Sequence, residues 1–224
     1  MGNEFLFLCH IALVIGVLLT LTRFGQGALV GFVALAVVLS NIFIVKQMRL
    51  FGMTLTCSDV YAVGAMLGLN MLQEFYGKRA ALSASKVSLL ILFFFLAAAQ
   101  IHLHYAPLTG MDEAQSAFEL ILGVTPRLVA ASLVAFAVSQ RLDVALFGVL
   151  QRQSWPFAVR SSLSTFITQL VDTLLFSFLG LYGWVAAIGD IIVMSLIVKG
   201  IVILFGSSVI GLAKMYVRQS DVSV

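Results

Sequence analysis

The sequence predicts an all-α integral membrane protein, a polytopic bundle of six to seven transmembrane helices. Of its 224 residues, 61% are hydrophobic and only 10% are charged, whereas about a quarter of a typical soluble domain is charged. Mean hydropathy is +1.09, and about 20 mostly apolar residues are enough to cross a bilayer. Seven segments meet that description, at residues 5–22, 28–46, 58–76, 87–106, 126–150, 160–181 and 184–210.

Local signals support two of the helix boundaries. Residues 160–210 are too many for one helix, and Gly180 with Gly183 indicates a break within them. Thr125 and Pro126 suit the start of the fifth helix, with threonine as N-cap and proline in the first turn.

The N-terminus lacks the positive segment and the small-residue cleavage site of a signal peptide, so we expect it to be a retained span. Residues 1–27 then form an extra N-terminal transmembrane helix and loop. We expect residues 28–212 to be the functional core and residues 213–224 to be a cytoplasmic tail.

The distribution of basic residues predicts the orientation. A chain with seven spans places four groups of cations on one side, and cytoplasmic loops are enriched in lysine and arginine. The N-terminus is therefore expected outside and the C-terminus in the cytoplasm, with Lys46 and Arg49 as exceptions in an outer loop. The four groups are Arg23; Lys78, Arg79 and Lys86; Arg152 and Arg160; and Lys214 and Arg218.

A polar pattern occurs twice within the apolar segments. Ser139-Gln140-Arg-Leu-Asp143 is followed 25 residues later by a second hydroxyl-Gln-x-aliphatic-Asp stretch, residues 168–172. Glutamine and aspartate three positions apart share one helix face, and an ionisable group in a lipid span is costly. Two such faces on neighbouring helices predict a polar pocket for a small ligand. The alternative is that they only hydrogen-bond the helices together.

The third segment carries a second polar stripe. Asn70 and Glu74 are one helical turn apart, and Asp59 lies three turns before Asn70 on nearly the same face. This stripe is too polar for lipid and should face protein or water. For Asp59 and Glu74 the alternative is a position at a helix end near the lipid headgroups.

Two cations also lie within apolar segments. Arg127 opens the fifth helix, where a positive charge opposes the helix dipole and would be stabilised by a carboxylate or an acceptor-rich ligand. Lys199 lies in the middle of the last segment and is expected to pair with Asp172 or Asp143. A purely structural ion pair remains the alternative for Lys199.

Motifs argue against an enzyme and favour a transporter. There is no HExxH, GxSxG or Walker A sequence, and no selectivity-filter loop of a channel. Cys9 and Cys57 form no metal-binding pattern, and His102 and His104 have no third ligand in register. No cofactor and no metal are therefore expected. The net charge of +3 is small and indicates topology rather than a nucleic-acid partner. Amides and charges spread over several helices suit a polar organic solute.

At these positions the chain resembles the queuosine-precursor transporter family, also called the vitamin-uptake transporter family, over roughly residues 28–210. The resemblance is carried by Ser40-Asn41; Asp59-Val-Tyr-Ala with Asn70-Met-Leu-Gln-Glu74-Phe-Tyr-Gly-Lys78; Pro126-Arg127-Leu-Val-Ala-Ala-Ser132; Ser139-Gln140 with Asp143 and Phe147; Ser162-Leu-Ser-Thr165 with Gln169, Asp172, Thr173 and Phe176; and Lys199.

The resemblance implies import of a 7-deazaguanine, such as preQ0, preQ1 or queuine, across a bacterial inner membrane for tRNA modification. It also implies a six-helix core resembling the substrate-binding components of energy-coupling-factor transporters. The alternative is another purine or vitamin-like solute, with energy supplied by a separate ATPase module. The lipid bilayer and the solute are the expected partners, and Gly27-x-x-x-Gly31 leaves a homodimer open.

The resemblance, together with the chemistry of guanine, assigns roles to particular residues. Asp172 or Glu74 would accept from the guanine edge, Gln140, Gln169 and Asn41 would orient the base, and Phe147 and Phe176 would stack on it or pack the core. Many members carry aspartate where this chain has Asn70, which bears on substrate or coupling. The expected binding residues are Asn41, Asn70, Glu74, Arg127, Gln140, Asp143, Gln169, Asp172 and Lys199. Of these, Glu74, Asp143 and Asp172 are candidate proton sites.

Overall fold

The computed structural model describes residues 2–50, 53–106, 108, 112–123, 126–183 and 188–220. Within these ranges the protein is a helical bundle, which confirms the predicted fold class. Six helices are long and apolar enough to cross a membrane. The elements are α1 (Asn3–Leu21), α2 (Gln26–Ile42), β1 (Gln47–Leu50), β2 (Met53–Thr56), α3 (Asp59–Tyr76), α4 (Lys78–Leu103), α5 (Asp112–Leu122), α6 (Pro126–Leu150), α7 (Phe157–Phe176) and α8 (Ile188–Ser220).

Helix α3 is the centre of the bundle, although it is not among the six helices long and apolar enough to count as spanning candidates. It packs against α1, α2, α4, α6, α7 and α8, and most of its residues are buried, including Asp59, Asn70 and Gln73. Because protein surrounds it, its polar side chains do not meet lipid, which explains how so polar a helix can occupy this place.

The two ends of the bundle are distinct. At one end the β1–β2 hairpin pairs Gln47 with Thr56 in an antiparallel register. The side-chain amide of Asn3 donates to the Arg49 carbonyl at 2.7 Å, so the N-terminus lies at this hairpin end. At the other end, Gln151 between α6 and α7 donates to Glu74 in the last turn of α3. Helix α3 therefore runs from one end of the bundle to the other.

Several boundaries differ from those that the sequence predicts. Helix α4 begins at Lys78, nine residues before the predicted start, because Gly77 adopts φ +86° and ends α3 directly against α4. Lys78, Arg79 and Lys86 therefore lie on a helix, and the prediction that they share a loop is wrong. The hairpin and α5 lie in segments predicted to be loops.

Other boundaries follow the sequence signals. The break between the last two helices is confirmed, since a π-helical turn at Ser177–Leu181 ends α7 and Gly183 has φ +83°. Pro126 is the first residue of α6, as expected, whereas its expected N-cap, Thr125, lies outside the described residues. Helix α8 continues to Ser220, ten residues beyond the predicted end of the last span.

Glycines allow the closest approaches to α3. A Cβ at Gly68 would lie 2.8 Å from Val33 Cγ2 of α2, and one at Gly64 would lie 2.9 Å from Val14 Cγ1 of α1. On α8, a Cβ at Gly206 would lie 2.6 Å from Leu67 Cδ1. Small residues at helix contacts let membrane helices pack closely, so these glycines set the distance between α3 and three of its neighbours.

Gly68→Val is expected to destabilise the protein by about 1–3 kcal/mol, because the added side chain overpacks the α2–α3 contact. Thermal unfolding of the purified protein in detergent measures the effect. Gly16→Val is the matched control, since a Cβ at Gly16 meets nothing within 4 Å. Equal melting temperatures for the two variants would contradict this account of the α2–α3 contact.

Candidate functional site

A cavity of about 570 Å³ opens at the hairpin end of the bundle. Its wall comes from the end of α2, the hairpin, the start of α3, the region around α5, the first turns of α6, the end of α7 and the first half of α8. Most of the lining is apolar and includes Phe136 and Phe176. Its polar members include Ser40, Asn41, Asp59, Ser132, Asp172, Thr173, Ser195 and Lys199.

The most polar part of the cavity is built around Lys199. Its ammonium Nζ lies 2.9 Å from Thr173 Oγ1, 3.4 Å from Asp172 Oδ2 and 3.8 Å from Asp59 Oδ1. We call Lys199, Asp59, Asp172 and Thr173 the Lys199 cluster. Of the two partners expected for Lys199, Asp172 and Asp143, the structure shows Asp172. Asp59 is a further partner that the sequence did not indicate.

Hydroxyl groups fix both carboxylates of the Lys199 cluster. Ser195 Oγ donates to Asp59 Oδ1 at 3.1 Å, and Ser139 Oγ donates to Asp172 Oδ1 at 3.1 Å. Two carboxylates around one ammonium leave the cluster with a formal charge of −1 when all three groups are ionised. A buried site with a charge surplus of this kind attracts a cationic or hydrogen-bond-donating solute.

The two copies of the repeated pattern face each other across α6 and α7. Ser139 of the first copy donates to Asp172 of the second. In return, Thr168 Oγ1 of the second copy donates to Asp143 Oδ1 of the first, at 3.3 Å. We call these four residues the repeat pair. The hydroxyl of each copy therefore lies within hydrogen-bond distance of the carboxylate of the other, and also of a carbonyl in its own helix.

The two glutamines of the pattern differ in their surroundings. Gln140 is fully buried and binds α4, since its Oε1 accepts from Ser85 at 2.6 Å and its Nε2 donates to Ser88 at 3.1 Å. Gln169 is also buried, but neither of its amide atoms has a hydrogen-bond partner among the described residues. Neither glutamine lines the cavity.

An ion pair joins α3 to α7 at the end of the bundle opposite the cavity. Arg160 Nη2 and Nη1 donate to the two carboxylate oxygens of Glu74 at 2.9 and 3.1 Å, and Gln151 donates to the same carboxylate at 3.2 Å. The Arg160 guanidinium also lies 5.6 Å from the centre of the Phe147 ring. Such bidentate pairs combine charge with fixed geometry. The sequence analysis placed Arg160 only among the loop cations, whereas it lies buried in the first turn of α7.

Asn70 also lies away from the cavity. Its Nδ2 donates to Ser161 Oγ at 3.1 Å and to Thr165 Oγ1 at 2.9 Å, so it joins α3 to α7. The Asn70 amide is thus part of a hydrogen-bonded contact between two helices.

The structure brings three of the nine expected binding residues to the cavity, namely Asn41, Asp172 and Lys199. Five others lie inside the bundle without lining the cavity, at Asn70, Glu74, Gln140, Asp143 and Gln169. Arg127 is exposed and donates to the carbonyls of Leu179 at 2.7 Å and Tyr182 at 2.8 Å, where the end of α7 offers free acceptors.

Sequence reasoning missed several cavity residues. Asp59 belonged to the polar stripe of α3, and that stripe was its available signal. Phe136 and Ser195 had no signal of their own beyond an apolar surrounding sequence, whereas Thr173 belonged to the stretch that carries the family resemblance.

Comparisons with known proteins agree with the transporter interpretation. The sequence profile of the family described as "Putative vitamin uptake transporter" matches residues 56–213. The protein named "Probable queuosine precursor transporter" of Bacillus subtilis (strain 168) is 33% identical over 187 residues, which cover 81% of each chain. No solved structure matches the chain, so the likeness to energy-coupling-factor components stays a prediction. On the family match and this relative, the chain belongs to the vitamin uptake transporter family.

Proposed function

We propose that the protein imports a 7-deazaguanine, such as preQ0, preQ1 or queuine, across the bacterial inner membrane for tRNA modification. The observation that carries the proposal is the Lys199 cluster, in which one ammonium and two carboxyl groups lie within ion-pair distance at a cavity between membrane-spanning helices. The name of the Bacillus subtilis relative supports the same solute class. The family description favours a second candidate, another purine or vitamin-like solute, which a separate ATPase module could energise.

The cavity fits the shape and the hydrogen-bonding groups of a deazaguanine. Its volume of about 570 Å³ lies within the common range of small-molecule sites. Phe136 and Phe176 offer aromatic faces to a planar base. Asp172 can accept from the amino and ring N–H groups of the guanine edge, and the Asn41 amide can meet the carbonyl.

The charge of the Lys199 cluster favours some deazaguanines over others. PreQ1 and queuine carry an amine, whereas preQ0 carries a neutral nitrile. Because Asp59 and Asp172 outnumber the single ammonium of Lys199, an added cationic amine would neutralise the surplus negative charge. We therefore propose preQ1 or queuine as the preferred solute.

The proposed orientation exposes the cavity to the outside. The expected cytoplasmic cations Arg23, Lys78, Arg79 and Arg152 lie at the end opposite the hairpin and the cavity. Positive-inside logic then places the cavity and the N-terminus outside and the C-terminus in the cytoplasm. This topology needs α3 as a seventh crossing, and its 18 residues span about 27 Å, close to the hydrocarbon thickness.

A homodimer has a candidate contact on α2. Gly27 and Gly31 are exposed, and a Cβ at either position would meet nothing within 4 Å. A second copy could approach this small-residue face closely.

Queuosine in tRNA tests the proposed function directly. A host unable to make or import the precursors would express the protein and receive limiting preQ0, preQ1 or queuine separately, with an inserting enzyme supplied for queuine. We expect queuosine to return with at least one compound. If the protein is present in the membrane and no compound restores queuosine, the deazaguanine proposal fails and the second candidate gains.

Asp172→Asn is expected to weaken deazaguanine binding by about tenfold to a hundredfold, because a charged acceptor at the guanine edge is lost. Calorimetric titration of preQ1 into the purified variant measures this change. Asp143→Asn is the matched control, since it makes the same substitution in the other copy of the repeat, away from the cavity. Equal loss in both variants would contradict a direct contact between Asp172 and the solute, because Asp143 does not line the cavity.

A preference for amine-bearing solutes is the third expected outcome. PreQ1 should bind about tenfold more tightly than preQ0, a difference of about 1.4 kcal/mol, and Asp59→Asn should reduce that preference by removing one negative charge from the Lys199 cluster. Competition between the two compounds for the purified protein measures the ratio. A ratio unchanged by Asp59→Asn would contradict the electrostatic origin of the preference.

A further inference from the structure

Asp143 is a buried carboxyl group to which the binding site gives no role. Its residue is completely buried, and its Oδ1 accepts from Ser164 Oγ at 2.6 Å and from Thr168 Oγ1 at 3.3 Å. Its Oδ2 is also buried and has no hydrogen-bond partner among the described residues. Among the residues that the structure describes, no cation lies within ion-pair distance of the Asp143 carboxyl group.

The charged groups on the elements around Asp143 are engaged elsewhere or exposed. Helix α6 packs against α3, α4, α7 and the π-helical turn, and that turn carries no ionisable residue. Glu74 of α3 and Arg160 of α7 bind each other, and Asp172 of α7 binds Lys199. The cations of α4 and α6 are exposed, at Lys78, Arg79, Lys86, Arg127 and Arg141.

A lone ionised carboxylate in such a place is unfavourable. A buried charge without a counter-charge is strongly destabilising, and a carboxylate removes that charge by binding a proton. The two hydroxyl donors both point to Oδ1, which leaves Oδ2 as the atom to carry a proton. In membrane helices, carboxyl groups of this kind occur in proton relays.

We propose that Asp143 is a proton-binding site and that its proton is coupled to solute import. The coupling part rests on the proposed transport function, whereas the proton site itself does not. In the proposed cycle, Oδ2 takes up one proton from the outer side, forming an O–H bond. After the helices rearrange, the same bond breaks toward the cytoplasm and the carboxylate is restored, so one proton crosses with each solute.

The repeat pair connects this proton site to the cavity. Thr168, which donates to Asp143, lies one turn before Asp172 on α7, and Ser139, which donates to Asp172, lies one turn before Asp143 on α6. A shift of α6 along α7 must therefore change both hydroxyl–carboxylate contacts together. Protonation of Asp143 weakens its carboxyl group as the acceptor for Thr168. A solute bound to Asp172 competes with Ser139 for the Asp172 carboxylate.

The first experiment detects the proton without any solute. Infrared difference spectra of the purified protein would record the carboxylic acid C=O band near neutral pH. We expect a band that disappears in Asp143→Asn and persists in Asp172→Asn, the matched substitution in the other copy of the repeat. A wild-type protein whose carboxylic band is unchanged by Asp143→Asn overturns the proton site.

The second experiment measures coupling in proteoliposomes held at zero membrane potential, with protein-free liposomes as background. An inward gradient of one pH unit should drive about tenfold accumulation of preQ1 by the wild type, if one proton moves with each solute. Asp143→Asn should only equilibrate preQ1, yet retain exchange of internal for external preQ1. Asp143→Glu keeps a titratable group and should retain accumulation.

The outcomes separate the two proposals. Undiminished accumulation by Asp143→Asn, or accumulation driven by a sodium gradient instead of protons, overturns the proton coupling. Absence of any preQ1 exchange by the wild type contradicts the proposed solute, while the infrared band still decides the proton site. If Asp143→Asn does not purify, a wild type that accumulates equally with and without the gradient overturns the coupling.

Discussion

The ammonium of Lys199 imposes the main constraint on this bundle. It lies buried in the first half of α8, where an unpaired charge is strongly unfavourable. Its partners come from two other helices, Asp59 at the start of α3 and Asp172 near the end of α7. These contacts fix the mutual positions of three helices, and the cavity forms where they meet. The same interaction that stabilises the fold thus also supplies polar groups to the wall of the cavity.

A second ion pair completes the placement of α3. Glu74 at the far end of this helix binds Arg160 of α7, so charged contacts fix α3 at both ends while close glycine contacts fix its middle. An enclosed helix can carry polar residues that no lipid-facing helix could bear. At one end of α3, Asp59 lines the cavity. At the other end, Glu74 joins α3 to α7 through its ion pair with Arg160.

The sequence predicts part of this arrangement well. The repeated hydroxyl-Gln-x-x-Asp spacing indicates that α6 and α7 face each other, and the need of Lys199 for a counter-charge limits its expected partner to Asp172 or Asp143. Local patterns could not identify Asp59 as a second partner, because it lies 140 residues before Lys199. For the same reason, local patterns could not identify Glu74 as the partner of Arg160. The hairpin and α5 depend on contacts with the rest of the bundle that short sequence windows do not contain.

A structure of the protein with preQ1 bound tests the central claim most directly. The account predicts density for the base in the cavity at the hairpin end, within hydrogen-bond distance of Asp172 and with the amine directed to the Lys199 cluster. Density for the base at the opposite end, beside Glu74 and Arg160, or outside the bundle would contradict it.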